Sequence, residues 1–340
     1  MQITREQLKG DYNGTELDVL INTYLDKVNA KQYDEALALI TAHPGKGKIF
    51  LWRDSQANEV IELLDLLFGE GRTPRVTTNI AGLYNLYGLA FRDRGDLDQS
   101  IEYLEKALAI ETDPVSRTEI LCDITGPYRT KGDNERAIEY AGQALKTADS
   151  IQRDEDREYW RGIALRILGH SETIIGRYDD AERHLREALA IWERYSATRP
   201  NDRQSEGMVN AFLARLFLLK GETTETFDLP KAKMHAKKAL ELAESQKFSR
   251  DYTRAQVLLA EIALRENNIP EAEQLLSQAL QNAEEHEIAE QLGEALLIKV
   301  RLHIVTGDIL KAQETATRIK TDPQFNQFKD LQNRLRGILL

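Results

Sequence analysis

Residues 81–110 read AGLYNLYGLAFRDRGDLDQSIEYLEKALAI, and their spacing recurs six more times along the 340-residue chain. Leu83, Tyr84, Tyr87, Gly88 and Phe91 fall three and four apart, which on a helix of about 3.6 residues per turn makes one stripe. Gly95 and Asp96 break that helix. A second stripe follows at Leu97, Ile101, Leu104 and Leu108, with Ala107 small enough to admit a neighbouring backbone. Two short amphipathic helices joined by a glycine turn cannot bury their apolar faces alone, so they must stack on copies of themselves. The fold expected is all-α, a solenoid of helix–turn–helix units.

The turn residues Gly95, Gly132, Gly176, Gly221, Asn267 and Gly307 lie 37, 44, 45, 46 and 40 residues apart. Five positions after each turn except Gly221 stands a small residue: Ser100, Ala137, Ala181, Ala272 or Ala312. Twelve positions after the turn come Ala107, Ala144, Ala188 and Ala279, with Ile319 departing from the small type. Seven before the turn stand Gly88, Gly169, Ala214 and Ala260, while Thr125 and Val300 break the pattern. With Phe91 four before Gly95, this arrangement resembles the tetratricopeptide repeat. The resemblance implies a right-handed superhelix whose first helices line a concave, peptide-binding groove. A mean spacing above 40 exceeds the usual repeat of about 34. In length alone the units are similar to those of kinesin light chains and of bacterial regulators that sense peptides or sugars.

Three regions follow. Residues 1–80 hold a degenerate first repeat (Leu17 to Ala30, a turn at Lys31, then Glu35 to Thr41 with Ala36 in the small slot) and an extra helix, Ser55 to Phe68, with Trp52 as a packing anchor before it. Residues 81–322 hold six repeats. Residues 323–340 form a capping helix whose Phe325, Phe328, Leu331, Leu335 and Ile338 make one apolar face, expected to shield Ile304 and Ile309. The segment Glu222 to Pro230 reads as a surface insertion at a hairpin tip. Gly45 to Lys48 invites a phosphate-loop reading, but Ala42 stands where glycine is required and Ile49 where serine or threonine is.

A formal net charge of −11 argues against binding nucleic acid, which needs clustered Lys and Arg. No run approaches about 18 apolar residues and no signal-peptide core opens the chain, so no membrane association is expected. A single cysteine, Cys122, excludes an internal disulfide framework and fits a reducing, cytoplasmic compartment. The six histidines have no metal-ligand spacing, and neither a nucleophile elbow nor a dinucleotide fingerprint occurs. No cofactor or metal is therefore expected, and a binding protein is favoured over an enzyme on a helical scaffold. Its leading form is an adaptor for a protein segment, monomeric or weakly dimeric. The alternative is a peptide or small-molecule sensor of a bacterial regulatory system, although no helix-turn-helix output domain is legible.

Residues ten, six and three before each turn share one face of the first helix, which the resemblance places in the groove. That face yields Asn85, Arg92, Arg129, Arg166, His170, Arg215, Leu218, Glu261 and Arg301 as candidate ligand contacts. The four arginines that the first four units place there, in an acidic chain, favour a peptide with acidic residues or a free C-terminus at one end. Apolar positions in later units favour apolar anchors at the other end. With Asn85 the sole asparagine, the set does not match the Lys/Asn clamp of chaperone adaptors. The competing reading pairs the arginines with acids on adjacent helices and places the apolar positions in the core.

Overall fold

The computed structural model describes residues 15–41, 57–199, 203–224, 228–246 and 248–339. The first pair is α1 (Thr15–Asn29) and α2 (Tyr33–Thr41), followed by α3 (Ala57–Asp65) and a 3₁₀ turn, Glu70–Arg72. Six hairpins then stack: α4 (Ile80–Arg94) with α5 (Leu97–Ile110), α6 (Pro114–Thr130) with α7 (Asn134–Asp149), α8 (Asp154–Ile174) with α9 (Tyr178–Thr198), α10 (Gln204–Thr224) with α11 (Leu229–Gln246), α12 (Ser249–Arg265) with α13 (Ile269–Glu285), and α14 (Ala289–Val305) with α15 (Ile309–Thr321). A 3₁₀ turn, Pro323–Phe325, leads into α16 (Lys329–Leu339). The described residues are thus an all-α solenoid, and none of their helices is long and apolar enough to cross a membrane.

The hairpin signature has a direct physical origin. Gly95, Gly132, Gly176 and Gly307 lie at φ +93, +81, +81 and +78, and Asn267 and Lys31 take φ +58 and +59 at the equivalent turns. Such left-handed residues end a helix without a steric clash when they are glycine. Asp133 and Asp308 then cap the second helices, accepting from the N–H groups of Arg136 and Lys311. Across the hairpin, a Cβ on Gly88 would stand 2.7 Å from Leu104 Cγ and 3.0 Å from Ser100 O; one on Gly169 would stand 2.8 Å from Leu185 Cγ and 3.0 Å from Ala181 O. The small slots seven before and five after the turn are therefore two sides of one close helix crossing.

Gly221 departs from its expected role as a turn. Helix α10 runs through it to Thr224, and α11 begins at Leu229 with Asp228 accepting from Lys231 N–H at 3.2 Å. Residues 225–227 of the proposed insertion lie outside the described residues, as do Trp52, Ser55 and Gly45 to Lys48.

The first repeat and the extra helix are continuous with the main stack. Tyr24, Leu37, Leu64 and Phe68 share one core with Leu83, Tyr87 and Phe91 of α4 and Tyr103 of α5. At the far end Phe325 and Leu335 are fully buried and Phe328 and Leu331 nearly so. They do not shield Ile304 and Ile309, which remain 36% and 52% exposed. The C-terminal element turns instead toward the second repeat. Gln327 Oε1 accepts from Asp98 N–H at 2.8 Å, a Cβ on Gly95 would stand 2.8 Å from Gln324 O, and α16 touches α6 as well as α14. One end of the solenoid has come round to meet the other.

Candidate functional site

Because the superhelix closes, the first helices of the repeats face one another across a central cavity of about 1120 Å³. Contributors include Asn85 and Arg92 from α4, Cys122, Asp123, Gly126 and Arg129 from α6, Arg166 and His170 from α8, Met208 and Phe212 from α10, Arg250, Asp251 and Arg254 from α12, and Glu290 from α14. An aromatic wall is supplied by Tyr159, Trp160, Tyr195 and Phe248. The rim reaches solvent at Arg153, whose side chain is 69% exposed.

Among the described residues, ion pairs span the closure. Arg129 Nη2 donates to Glu290 Oε1 at 2.9 Å, joining residues 161 apart in sequence, and Arg250 reaches Asp93 at 2.7 Å. Arg92 also donates to Asp93 at 2.9 Å, and Asn85 Nδ2 donates to Asp123 at 3.1 Å.

The nine candidates separate into three groups. Asn85, Arg92, Arg129, Arg166 and His170 line the cavity. Arg215, Glu261 and Arg301 instead form a buried ionic cluster: Glu261, 2% exposed, accepts from Arg265 at 2.9 Å, Arg301 at 3.0 Å and Arg215 at 3.3 Å. Leu218 is fully buried in the core between the fourth repeat and its neighbours, as is Leu297 in a later unit. The apolar end of the expected groove is thus packed core, while the aromatic surface of the cavity comes from Tyr159 and Trp160 in the first turns of α8, Tyr195 near the end of α9, Phe212 of α10 and Phe248 just before α12.

His170 lies flat on Phe212, with ring centroids 3.9 Å apart and planes 5° from parallel. The guanidinium carbons of Arg166 and Arg254 stand 5.9 and 5.6 Å from the same ring centroid. Burial, then the fields of Arg129, Arg254, Arg215 and Arg166, hold the His170 pKa well below its usual value, so the imidazole is neutral at physiological pH.

Glu290 and Glu294 are the acid-sensitive parts of the closure. Burial pushes both pKa values up, but Arg129 and Arg254 overcome it at Glu290, and Arg334 and Arg215 at Glu294, so each falls from 4.5 to about 2. A depressed carboxylate contributes stability that is whole above its unfolded pKa and is lost as pH falls through the folded one. The superhelix should therefore expand as pH drops from about 4.5 toward about 2, because the Arg129–Glu290 and Arg215–Glu294 pairs join different repeats. Small-angle scattering should show the radius of gyration rising before far-UV ellipticity is lost. Helix loss in step with expansion would contradict this order.

Sequence reasoning missed Met208, Arg250, Arg254, Glu290 and Glu294. A signal existed: they lie 13 or 17 residues before Gly221, Asn267 or Gly307, which prolongs the face at ten, six and three by two further turns.

Residues 81–114 and 164–196 match the tetratricopeptide repeat. The photosystem I assembly protein Ycf3 of Synechococcus sp. strain CC9902 is 30% identical over 120 residues, covering 35% of this chain and 68% of that protein. Its counterpart in Synechococcus elongatus is 26% identical over 115 residues, covering 34% of this chain and 65% of that protein, slightly under two thirds of its length. Two solved structures share the architecture. One is a Rap protein complexed with competence and sporulation factor (TM-score 0.56, 16% identity, 95% of this chain and 98% of that one). The other is the Rap conjugation gene regulator of plasmid pLS20 in complex with the Phr* peptide (TM-score 0.56, 13% identity, 94% of each chain).

Proposed function

We propose that this chain, which belongs to the tetratricopeptide repeat family, is a non-catalytic adaptor that holds a segment of another protein in its central cavity. The segment presents a carboxylate, from an acidic residue or a free C-terminus, beside apolar side chains. The observation that carries this reading is a cavity of about 1120 Å³ whose wall mixes aromatic rings with arginines. That is larger than a typical small-molecule pocket of about 300–1,000 Å³. Related repeats occur in an assembly protein, and solenoids of the same architecture have been seen in complex with competence and sporulation factor and with the Phr* peptide. Those likenesses support the fold; the ligand class is argued from the cavity wall. The sensor reading draws on one further observation, the ion pairs that close the superhelix across the same cavity. A ligand competing for Arg129 or Arg250 would bias open against closed forms.

Gly126 offers a direct test. It faces the cavity on α6, and a Cβ there meets nothing closer than Arg92 Cδ at 3.5 Å. Gly126→Phe should obstruct the cavity beside Arg92 at no cost to the helix, since glycine is itself a poor helix former. Panning a random peptide display library on the full chain should enrich sequences with an acidic or C-terminal carboxylate next to aromatic or aliphatic residues. Gly126→Phe should lose their capture by at least tenfold with an unchanged circular dichroism spectrum. Equal capture by the variant, or no enriched family, would overturn the proposal.

A further inference from the structure

We infer that Arg166, held against Phe212 beside His170, is a subsite for a single carboxylate of the bound segment; this rests on the reading of the cavity as a peptide site. Every other arginine of the cavity wall has a carboxylate: Arg92 and Arg250 share Asp93, Arg129 has Glu290, Arg153 and Arg199 share Glu155, and Arg254 has Asp251 at 2.7 Å. Among the described residues no carboxylate comes within 4.0 Å of Arg166. Yet Arg166 is only 8% exposed. Its Nη1 donates to Met208 Sδ at 3.0 Å, a weak acceptor, and its Nε is buried without a partner.

A buried, uncompensated guanidinium costs several kcal/mol, and buried donors are ordinarily satisfied. Burial accordingly lowers the Arg166 pKa. Nothing on Arg166's own helix relieves this. His170, one turn further along α8, is neutral and adds no negative charge, and its Nδ1 is a second buried atom without a partner. Two unsatisfied groups four residues apart therefore sit in one cavity wall, both braced on the ring of Phe212 from α10. A carboxylate supplies what both lack. A small rotation of the two side chains toward the cavity they line lets one oxygen accept from the Arg166 guanidinium N–H groups and the second accept from an imidazole N–H. The local balance is one positive charge, because Arg254 on the same ring is neutralised by Asp251. That matches a carboxylate and not a phosphate dianion. Ile163, Ile167, Tyr159 and Trp160 lie on the same wall, so an aromatic or aliphatic group should adjoin the carboxylate.

The test titrates the full chain calorimetrically with four probes. N-acetyl-phenylalanine carries a terminal carboxylate, N-acetyl-aspartyl-phenylalanine amide a side-chain one, N-acetyl-phenylalanine amide none, and inorganic phosphate replaces the class. At least one carboxylate probe should bind about tenfold or more tighter than the amide; which one does so identifies the source of the carboxylate. Arg166→Met should abolish that preference, Arg166→Lys should restore part of it, and the melting temperature of Arg166→Met should equal or exceed that of the wild type. Four results would each overturn the inference: an undiminished preference in Arg166→Met, tighter binding of phosphate, no measurable binding of either carboxylate at millimolar concentration, or a marked drop in melting temperature for Arg166→Met. Failure here with display peptides still excluded by Gly126→Phe would leave the cavity reading standing. Capture undisturbed by Gly126→Phe would remove both.

Discussion

A chain ended at Asp322 should melt far below the full chain and should lose its closed form. Phe325, Phe328, Leu331 and Leu335 are all less than 5% exposed, and fully burying such a side chain stabilises by roughly 1.5–3 kcal/mol. Four of them amount to a large share of the ~5–15 kcal/mol by which domains are ordinarily stable. The loss has two sites. Over α14, Leu331 Cδ2 fills the space above Gly293, where a Cβ would stand only 2.7 Å away. At the turn of the first full hairpin, Gln324 and Phe328 lie against Gly95, and Gln327 caps Asp98. Truncation also removes Arg334, which donates to Glu294 at 2.9 Å. Differential scanning calorimetry and small-angle scattering should show a lower melting temperature together with a larger radius of gyration. Leu335→Ala alone should cost about 2–5 kcal/mol. A truncated chain as stable and as compact as the parent would show that the element rides on the solenoid without closing it.

The second large effect is expected at Glu261. Its carboxylate is 2% exposed and serves Arg215, Arg265 and Arg301 at once. Burial raises its pKa, but those three guanidiniums more than reverse the effect, so it is ionised at neutral pH. Glu261→Ala takes away the acid that the three guanidiniums share, while Arg215 keeps a second one, Glu294 at 3.4 Å. Removing one partner of a buried pair typically costs about 3–5 kcal/mol. Glu261→Gln has nearly the same shape and keeps one acceptor, so it separates charge from packing. It should recover little of the loss in a chemical-denaturation midpoint. Wild-type stability in Glu261→Gln would mean that the cluster is held by shape, and that charge at this joint between α10, α12 and α14 is incidental.

Much of the architecture was legible because its causes are local. A stripe of period about 3.6 makes a helix wherever it occurs. Gly95, Gly132, Gly176 and Gly307 terminate helices through their own φ, and Gly88 and Gly169 are small because their partners stand a fixed number of residues away across one turn. Gly221 shows the limit of this logic. A glycine inside a helix costs only about 1 kcal/mol relative to alanine, too little to stop a helix by itself, and α10 runs through Gly221 to Thr224.

The cavity face was legible only in part. A reading matched to short repeats stops ten residues before the turn, whereas α8 and α10 are 21 residues long and α12 and α14 are 17. The extra length carries Tyr159, Met208, Arg250, Arg254 and Glu290 into the wall. Sequence by itself determined the helices, the hairpins, the stacking and the concentration of arginine on one face of the first helices. Only the tertiary structure decided which of those arginines are spent on the fold. Arg129, three residues before its turn, and Arg166, ten before the next, line the same cavity, yet Arg129 meets Glu290 and Arg166 meets no carboxylate among the described residues. The difference depends on what the accumulated superhelical rotation brings round from over a hundred residues away, a long-range term that no local spacing encodes.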